Sequence, residues 1–387
     1  MQIQLTSLAK EIKAETEVLA FNGLNLVSQE NIREIELFLQ QASQVQAFRL
    51  ATSLRYLHVE LNRFMTHHPA FNVERYVFFL NNCWLLSSAC LSNAMPALND
   101  PGARVLELMG KPSEPVAVEQ FDLRLAGLEK VYLENALFGL IFHFFSKSGE
   151  TSGNILKLSI MQQPKGLVNP EILLGMNIPN TESPVPFFKL LASDIVMNDA
   201  RFLEREETIQ LAQDSKSTFT ITEDTSEEPL PFPLELYERF MLHPAEINAR
   251  ISGINITPFD TSVLNVGYAF IKNATITSQY KEGDDQGVYK TSTHVFTILH
   301  DQGYPLQARL PDKQVNNTLA TNLGVAMEAG TVFPGMFGKL TIERGHLVIL
   351  PLSCIDEEKV WFPCLARNMK INNKEILQYL YSQNKQP

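Results

Sequence analysis

Apolar residues recur every three or four positions over residues 1–91, which is the period of an amphipathic α-helix. The pattern predicts a first helix from Ser7 to Asn22, two helices with apolar stripes over 32–42 and 47–64, and a fourth over 73–91. The fourth is apolar on nearly every side around its middle. We therefore expect a helical bundle over residues 1–111, with the fourth helix at its centre.

A turn-rich stretch from Pro96 to Pro112 ends this pattern, and beyond it apolar and polar residues alternate. Alternation with a period of two predicts antiparallel β modules over 112–221 and 234–387, each a small barrel or sandwich. The predicted strand runs are 121–125, 137–145, 155–161, 190–197, 208–211, 268–277, 293–299, 307–310 and 338–351. Residues 222–233 combine carboxylates with prolines and are predicted to be a linker. With a short C-terminal helix from Asn372 or Asn373, the fold class is α+β.

The two β modules are similar in size, which suggests an internal duplication. Each contains a short run of β-forming residues beside Asp or Thr, as in Asp194-Ile195-Val196 and Thr275-Ile276-Thr277. Such short matches arise by chance between strand-rich segments. The sequence leaves open whether the modules are one domain, two domains or a repeat.

The segment 332–352 is a glycine-punctuated hairpin with a strongly apolar second half. One interpretation is a hairpin that closes the last barrel. The other is a mobile apolar tip, in which Phe333, Met336 and Phe337 surround Pro334-Gly335 and dock into a partner. These three residues are the partner-binding site that the sequence predicts.

The chain has 387 residues, with 43 acidic and 32 basic side chains, and its formal net charge is −11. This acidic excess repels nucleic-acid backbones unless basic residues gather on one face. No apolar run has the length that a signal peptide or a membrane span requires, so we expect a cytoplasmic protein without membrane insertion.

Residues that could bind metal or perform catalysis are present, but their spacing does not fit known sites. Cys83 and Cys90, like Cys354 and Cys364, are too widely spaced for a zinc knuckle. His58 and Glu60 would point to different sides of a helix, and no nucleophile elbow or phosphate-binding loop occurs. We therefore assign no catalytic, cofactor or metal residue. The remaining histidines are interpreted as a satisfied buried imidazole (His143), a loop pair (His67 and His68) and strand-end residues (His294, His300 and His346).

These observations favour a non-enzymatic intracellular adaptor or scaffold within a multiprotein assembly, with a protein partner. The first alternative is a hydrolase or transferase whose site is assembled from dispersed residues. The second is a single-stranded nucleic-acid-binding accessory that uses aromatic residues of the C-terminal barrel. A tightly bound ligand would favour the first alternative, and steeply salt-dependent oligonucleotide binding would favour the second. The oligomeric state is not predicted.

Overall fold

The computed structural model describes residues 2–69, 71–91, 110, 114–133, 137–149, 151–162, 169–178, 184–191, 194–204, 206–211, 218–222, 234–242, 265–284, 291–343, 346–356 and 359–367. The chain divides into two compact units, one containing the N-terminal helices and the other containing two β sheets. The predicted α+β class is confirmed. The predicted C-terminal helix and residues 223–233 lie outside the described residues, and the domain boundaries at 112, 222 and 234 stay predictions. None of the described helices is long and apolar enough to cross a membrane.

The described residues of the first unit form a bundle of four helices. Its helices are α1 (Gln2–Asn22), α2 (Gln29–Gln44), α3 (Phe48–Met65) and α4 (Val73–Leu91). Helices α1 and α3 each contact both α2 and α4, so each of these four described helices packs mainly on two of the others. The core draws buried side chains from all four helices, including Ile12, Ile35, Leu54, Leu57 and Cys83.

Local sequence explains where these helices begin. At α2 the Ser28 side chain accepts a hydrogen bond from the backbone N–H of Asn31, and the Asn31 side chain accepts one from the Ser28 backbone, which forms a capping box. The first helix begins at Gln2 rather than at Ser7, whose hydroxyl instead donates to Glu11 one turn later.

Helix α4 is not the central helix that its composition predicts. Val77 and Phe78 are 51% and 61% exposed, and Leu85 is exposed as well. With two neighbours, α4 buries only the side that carries residues such as Leu80 and Cys83. The rest of its apolar surface faces outward.

The first sheet of the second unit closes into a barrel. Its strands are β1 (Val116–Leu133), β2 (Leu137–Ser146), β3 (Ile155–Gln162), β4 (Asp194–Leu203) and β5 (Thr208–Leu211), and β6 (Thr218–Thr222) is added on β4. Strand β1 is long enough to pair with β4 along its first half and with β2 along its second half. The order β1-β2-β3-β5-β4 therefore returns to β1, with β3 and β5 parallel and the other pairs antiparallel.

The second sheet repeats this arrangement. After a short helix α5 (Leu234–Glu238), the strands are β7 (Asn265–Asp284), β8 (Thr291–Leu299), β9 (Pro305–Pro311), β10 (Val332–Glu343), β11 (His346–Asp356) and β12 (Lys359–Trp361). The order β7-β8-β9-β11-β10 returns to β7, and again the third and fifth strands, β9 and β11, are parallel. Helix α6 (Gln314–Glu328), which the alternation pattern did not predict, joins β9 to β10 and buries Leu319 and Leu323 in the barrel core.

Both barrels thus have the strand order of an OB-fold, a five-stranded Greek-key barrel. The repeat that the sequence left open is present in the topology. However, the short matches noted above belong to non-equivalent strands, since Asp194-Ile195-Val196 lies in the fourth strand of one barrel and Thr275-Ile276-Thr277 in the first strand of the other. The connection from the third to the fourth strand also differs, because the first barrel has 3-10 turns at Pro170–Gly175 and Phe187–Leu191 where the second has α6.

The barrels pack against each other through an aromatic cluster. Phe145 on the outside of β2 meets Tyr237 of α5 and Phe337 of β10, with ring centroids 4.7 and 5.7 Å away. Tyr268 stacks on Phe337 with ring centroids 5.6 Å apart. The Tyr237 hydroxyl donates to the Ala126 carbonyl at 3.1 Å, which satisfies its buried polar atom. We call Phe145, Tyr237, Tyr268 and Phe337 the inter-barrel cluster.

Candidate interaction surfaces

The structure corrects the expectation of an exposed apolar tip at Phe333, Met336 and Phe337. All three lie within strand β10 and are at most 1% exposed. Phe333 and Met336 point into the second barrel, whereas Phe337 belongs to the inter-barrel cluster. The hairpin closes the barrel because β10 pairs with β7 on one side and β11 on the other, which leaves no free tip at these positions.

His143 is buried, and both of its ring nitrogens have partners. Its Nδ1 lies 3.0 Å from the Tyr268 hydroxyl and its Nε2 lies 3.3 Å from Glu129 Oε2. A neutral ring that accepts from Tyr268 and donates to Glu129 satisfies both contacts. Burial lowers the pKa of His143, and the Lys157 and Lys339 ammonium groups act in the same direction. Burial opposes ionisation of Glu129, but the hydrogen bond from His143 and the charge of Lys339 lower its pKa overall.

The other titratable candidates have structural partners and do not converge. Glu60, only 2% exposed, binds Arg63 at 2.7 Å and Arg75 at 3.1 Å, and so ties the end of α3 to the start of α4. His58 contacts Asn62 on its own helix. Among the described residues no group of three His, Cys, Asp or Glu side chains is placed to hold a metal ion.

The remaining histidines and cysteines are likewise dispersed. His294 lies near Gln279 and Asp312, whereas His300 contacts Asp301 in its own turn. The side chain of His346 lies outside the described residues. Burial raises the pKa of the thiols at Cys90 and Cys364 to about 12, so both stay protonated and unreactive near neutral pH.

OB-folds bind their ligands on the outer face of the second and third strands. In the first barrel that face carries Phe145 and Ile155, and the second barrel covers both side chains. In the second barrel the same outer face carries Arg309, whose guanidinium is paired with Glu282 and whose side chain is only 4% exposed. The positive charge that a phosphate backbone requires is therefore neutralised at this position.

A cavity of about 670 Å³ lies between β3 and β5 of the first barrel. The two strands pair only at Lys157–Thr208 and Leu158–Ile209, and beyond these pairs the strands line the cavity. Arg201 is the one charged side chain among the described lining residues, which otherwise are apolar or neutral. That described lining contains no pair of side chains that could act as general acid and general base.

The helical unit, in contrast, exposes aromatic side chains together. Phe79 stacks on Tyr56 with ring centroids 4.8 Å apart and meets Phe78 edge-on at 5.1 Å. Tyr56 is 50% exposed and Phe78 is 61% exposed. These three residues join α3 and α4 on the outside of the bundle, and we call them the aromatic patch.

A second surface lies between α1 and α4. Here a groove of about 580 Å³ is lined by Thr16, Glu17, Leu19, Ala20, Gly23 and Leu24 from the α1 side and by Val73, Tyr76, Val77, Leu80, Asn81 and Trp84 from α4. We call it the α1/α4 groove. At one end the Trp84 indole donates to Glu17 at 2.9 Å, and Lys13 lies over the indole ring. Neither surface was predicted from the sequence, although the exposed apolar side of α4 contributes to both.

The fold and these surfaces define a protein with a helical bundle and a tandem pair of five-stranded barrels. No protein-family model matches the chain, and no curated protein matches it. Among solved structures, a chain of a replication protein A heterotrimer bound to single-stranded DNA is similar at 9% identity, with a TM-score of 0.26. That alignment covers 70% of this chain and 53% of the other, and a TM-score this low carries no argument about function.

Proposed function

We propose that this protein is a non-enzymatic adaptor that binds a partner protein through its helical unit. The observation that carries the proposal is the aromatic patch, in which Tyr56 and Phe78 are both at least half exposed. Large aromatic side chains are enriched at the centres of protein interfaces, because they bury much apolar area at a small cost in conformational entropy.

The arrangement of the patch also favours a protein partner over an accidental exposure. Its rings already contact one another, so a partner meets a pre-organised surface and need not order flexible side chains. The Tyr56 hydroxyl adds a hydrogen-bonding group at the edge of an otherwise apolar patch.

The tandem barrels supply the rigid remainder of such an adaptor. Their contact uses the outer face of β2 that an OB-fold would otherwise offer to a ligand. The adaptor function therefore places recognition on the helical bundle and assigns the inter-barrel cluster a structural role.

The test compares Phe78→Asp with Leu37→Asp. Leu37 lies on α2 and is 55% exposed, so its substitution adds the same charge to the same bundle away from the patch. Tagged full-length protein is recovered gently from its native cell, and co-purifying proteins are quantified by mass spectrometry. We expect a stoichiometric partner to co-purify with the wild type and with Leu37→Asp. The same partner should be lost from the Phe78→Asp sample.

The identified partner is then purified, and its dissociation constant is measured with each variant. Loss of a central aromatic anchor weakens binding by about thirtyfold or more, equivalent to about 2 kcal/mol. If Phe78→Asp binds as tightly as Leu37→Asp while both remain folded by circular dichroism, the patch is not the partner surface. A wild-type protein that recovers no stoichiometric partner would contradict the adaptor function itself.

A further inference from the structure

The aromatic patch lies on the basic side of the helical unit. Helices α3 and α4 carry more basic than acidic residues, namely Arg49, Arg55, Arg63 and Arg75 against Glu60 and Glu74. Helices α1 and α2 have the opposite balance, with six glutamates against three basic residues. Since α1 packs on α2 and α3 packs on α4, these two pairs form different sides of the bundle. The patch therefore lies on a positive surface of a chain whose net charge is −11.

Two of the arginines flank Tyr56 on the outer surface of α3. Tyr56, Val59 and Arg63 follow at spacings of three and four residues, so they share one face of the helix. Arg55 directly precedes Tyr56 and is exposed, and it has no hydrogen-bond or ion-pair partner among the described residues. The backbone positions of Arg55 and Arg63 are about 12 Å apart along the helix axis. This surface thus presents an aromatic ring between two cations.

Arg63 is held in place and still has donors to offer. Its Nη1 donates to Glu60 Oε1 at 2.7 Å, while 33% of its side chain remains exposed. A guanidinium has five N–H donors, of which this contact uses one. Arg63 also shares the single Glu60 carboxylate with Arg75, which binds it at 3.1 Å. The positive charge of Arg63 is therefore only partly neutralised by Glu60.

These groups fit carboxylates better than a polyanion. Nucleic-acid binding depends on neutralising many phosphates, often about six to ten, whereas here two arginines flank an apolar surface. Arginine binds a carboxylate through two parallel hydrogen bonds, so one or two acidic side chains match this surface in number and geometry. Arginine and tyrosine are also enriched among the residues that contribute most to protein–protein binding.

We propose that the aromatic patch binds an acidic segment of the partner protein. An apolar side chain of that segment packs on Tyr56 and Phe78, and carboxylates about 12 Å apart pair with Arg55 and Arg63. This inference rests on the adaptor function and adds the chemical class of the partner. The glutamates of α1 and α2 repel such a segment, so charge also directs it to the side of the bundle that carries the patch.

The first test selects binding sequences without assuming a partner. Random peptides displayed on phage are panned against immobilised full-length protein, in parallel with Phe78→Asp and with the control Leu37→Asp. We expect the wild type and Leu37→Asp to enrich peptides that combine Asp or Glu with Phe, Trp or Leu, and Phe78→Asp to lose them. Phe78-dependent peptides that are neutral or basic, or panning that yields no Phe78-dependent peptide, would overturn the acidic class. Either result leaves the adaptor function standing, because partner capture is measured separately.

The second test isolates the charge of Arg55. The most enriched peptide is synthesised with a fluorescent label, and its dissociation constant is measured by anisotropy. Arg55→Glu should weaken binding by about tenfold, because an attraction becomes a repulsion. Arg33→Glu is the matched control, since Arg33 is exposed on α2 and its reversal changes the net charge equally. Equal weakening by both variants would show that net charge alone matters and would contradict the pairing.

A reversed pair makes the same test specific to one contact. Peptides in which single acidic residues are replaced by Lys should bind the wild type more weakly, and one of them should regain affinity with Arg55→Glu. Raising the salt concentration should weaken the wild-type complex severalfold, because exposed ion pairs are screened. Affinity that is independent of salt, with no replacement that restores binding to Arg55→Glu, would exclude the arginines from the contact.

Competition distinguishes the acidic segment from other anionic occupants. An unlabelled single-stranded oligonucleotide, or vesicles that contain phosphatidylserine, should not displace the peptide at physiological salt. If either one binds the wild type in its place and Phe78→Asp abolishes that binding, the patch is a nucleic-acid or membrane surface and the proposal is wrong.

Discussion

Phe337 provides a direct test of how the two barrels are held together. Its ring contacts Phe145, Tyr237, Phe240 and Tyr268, with centroids 5.4 to 5.8 Å away, and it is 1% exposed. Replacing such a phenylalanine with alanine removes its buried apolar surface and leaves a cavity, which together cost about 3–5 kcal/mol. Because neighbouring rings lose favourable aromatic contacts as well, we expect Phe337→Ala to fall in the upper part of that range.

The assay is urea unfolding followed by tryptophan fluorescence. The protein has two tryptophans, of which Trp84 lies in the helical unit and Trp361 in the second barrel. A Trp84→Phe background therefore reports on the barrels alone. In that background Phe337→Ala should lower the free energy of unfolding of the barrel unit by about 3–5 kcal/mol, a thermal shift of about 2–4 °C for each kcal/mol.

The matched control is Phe21→Ala, since the same side chain is 93% exposed there. In dilute protein it should change stability by no more than about 0.5 kcal/mol. A loss below about 1 kcal/mol for Phe337→Ala would show that the ring is not in a packed core. The burial assigned to the whole β10 segment would then be wrong, and the exposed-tip interpretation would have to be considered again.

Two further predictions concern the same unit. Burial lowers the pKa of His143 below its ordinary value of 6.5, so the folded protein resists the proton that the unfolded chain accepts. The contribution of His143 to the unfolding free energy should therefore be complete above pH 6.5 and should fall as the pH is lowered. Denaturant titrations of His143→Gln at several pH values should lack this part of the slope below pH 6.5. Gly338→Ala should destabilise the second barrel by about 1–3 kcal/mol in the same assay, because the added Cβ atom would lie 2.5 Å from the Leu350 carbonyl oxygen. An unchanged midpoint of urea unfolding would contradict that close approach.

The helical region was largely predictable because its signals are local. Apolar spacing located all four helices, and the predicted loop at His67 and His68 lies between α3 and α4. Where the prediction failed at the first helix, a longer-range reason is evident: Leu5 is buried in the bundle core, so packing extends α1 back past its expected start at Ser7.

The barrels were predictable as strands but not as a closed pair of repeats. Alternation shows which side chains share a face, yet closure depends on β1 pairing with β4 and on β7 pairing with β10, which are strands far along the chain. Helix α6 was missed because its first third, from Gln314 to Thr318, is polar apart from Val315 and is poor in strong helix formers. The helix is stabilised chiefly by burial of Leu319 and Leu323, a tertiary effect that a local pattern does not contain.

The exposed apolar surface was expected in the wrong place for the same physical reason. Phe337 and Phe78 are both aromatic residues in apolar segments, and composition alone does not say which one another strand or helix will cover. A usable signal was nevertheless present in α4, which is apolar on nearly every side. Among the four helices that the structure describes, each packs mainly on two others, so a helix that is apolar all round exposes part of its apolar surface. That excess of apolar surface on α4 accounts for both the aromatic patch and the α1/α4 groove, and it is why recognition is proposed on the helices and not on the barrels.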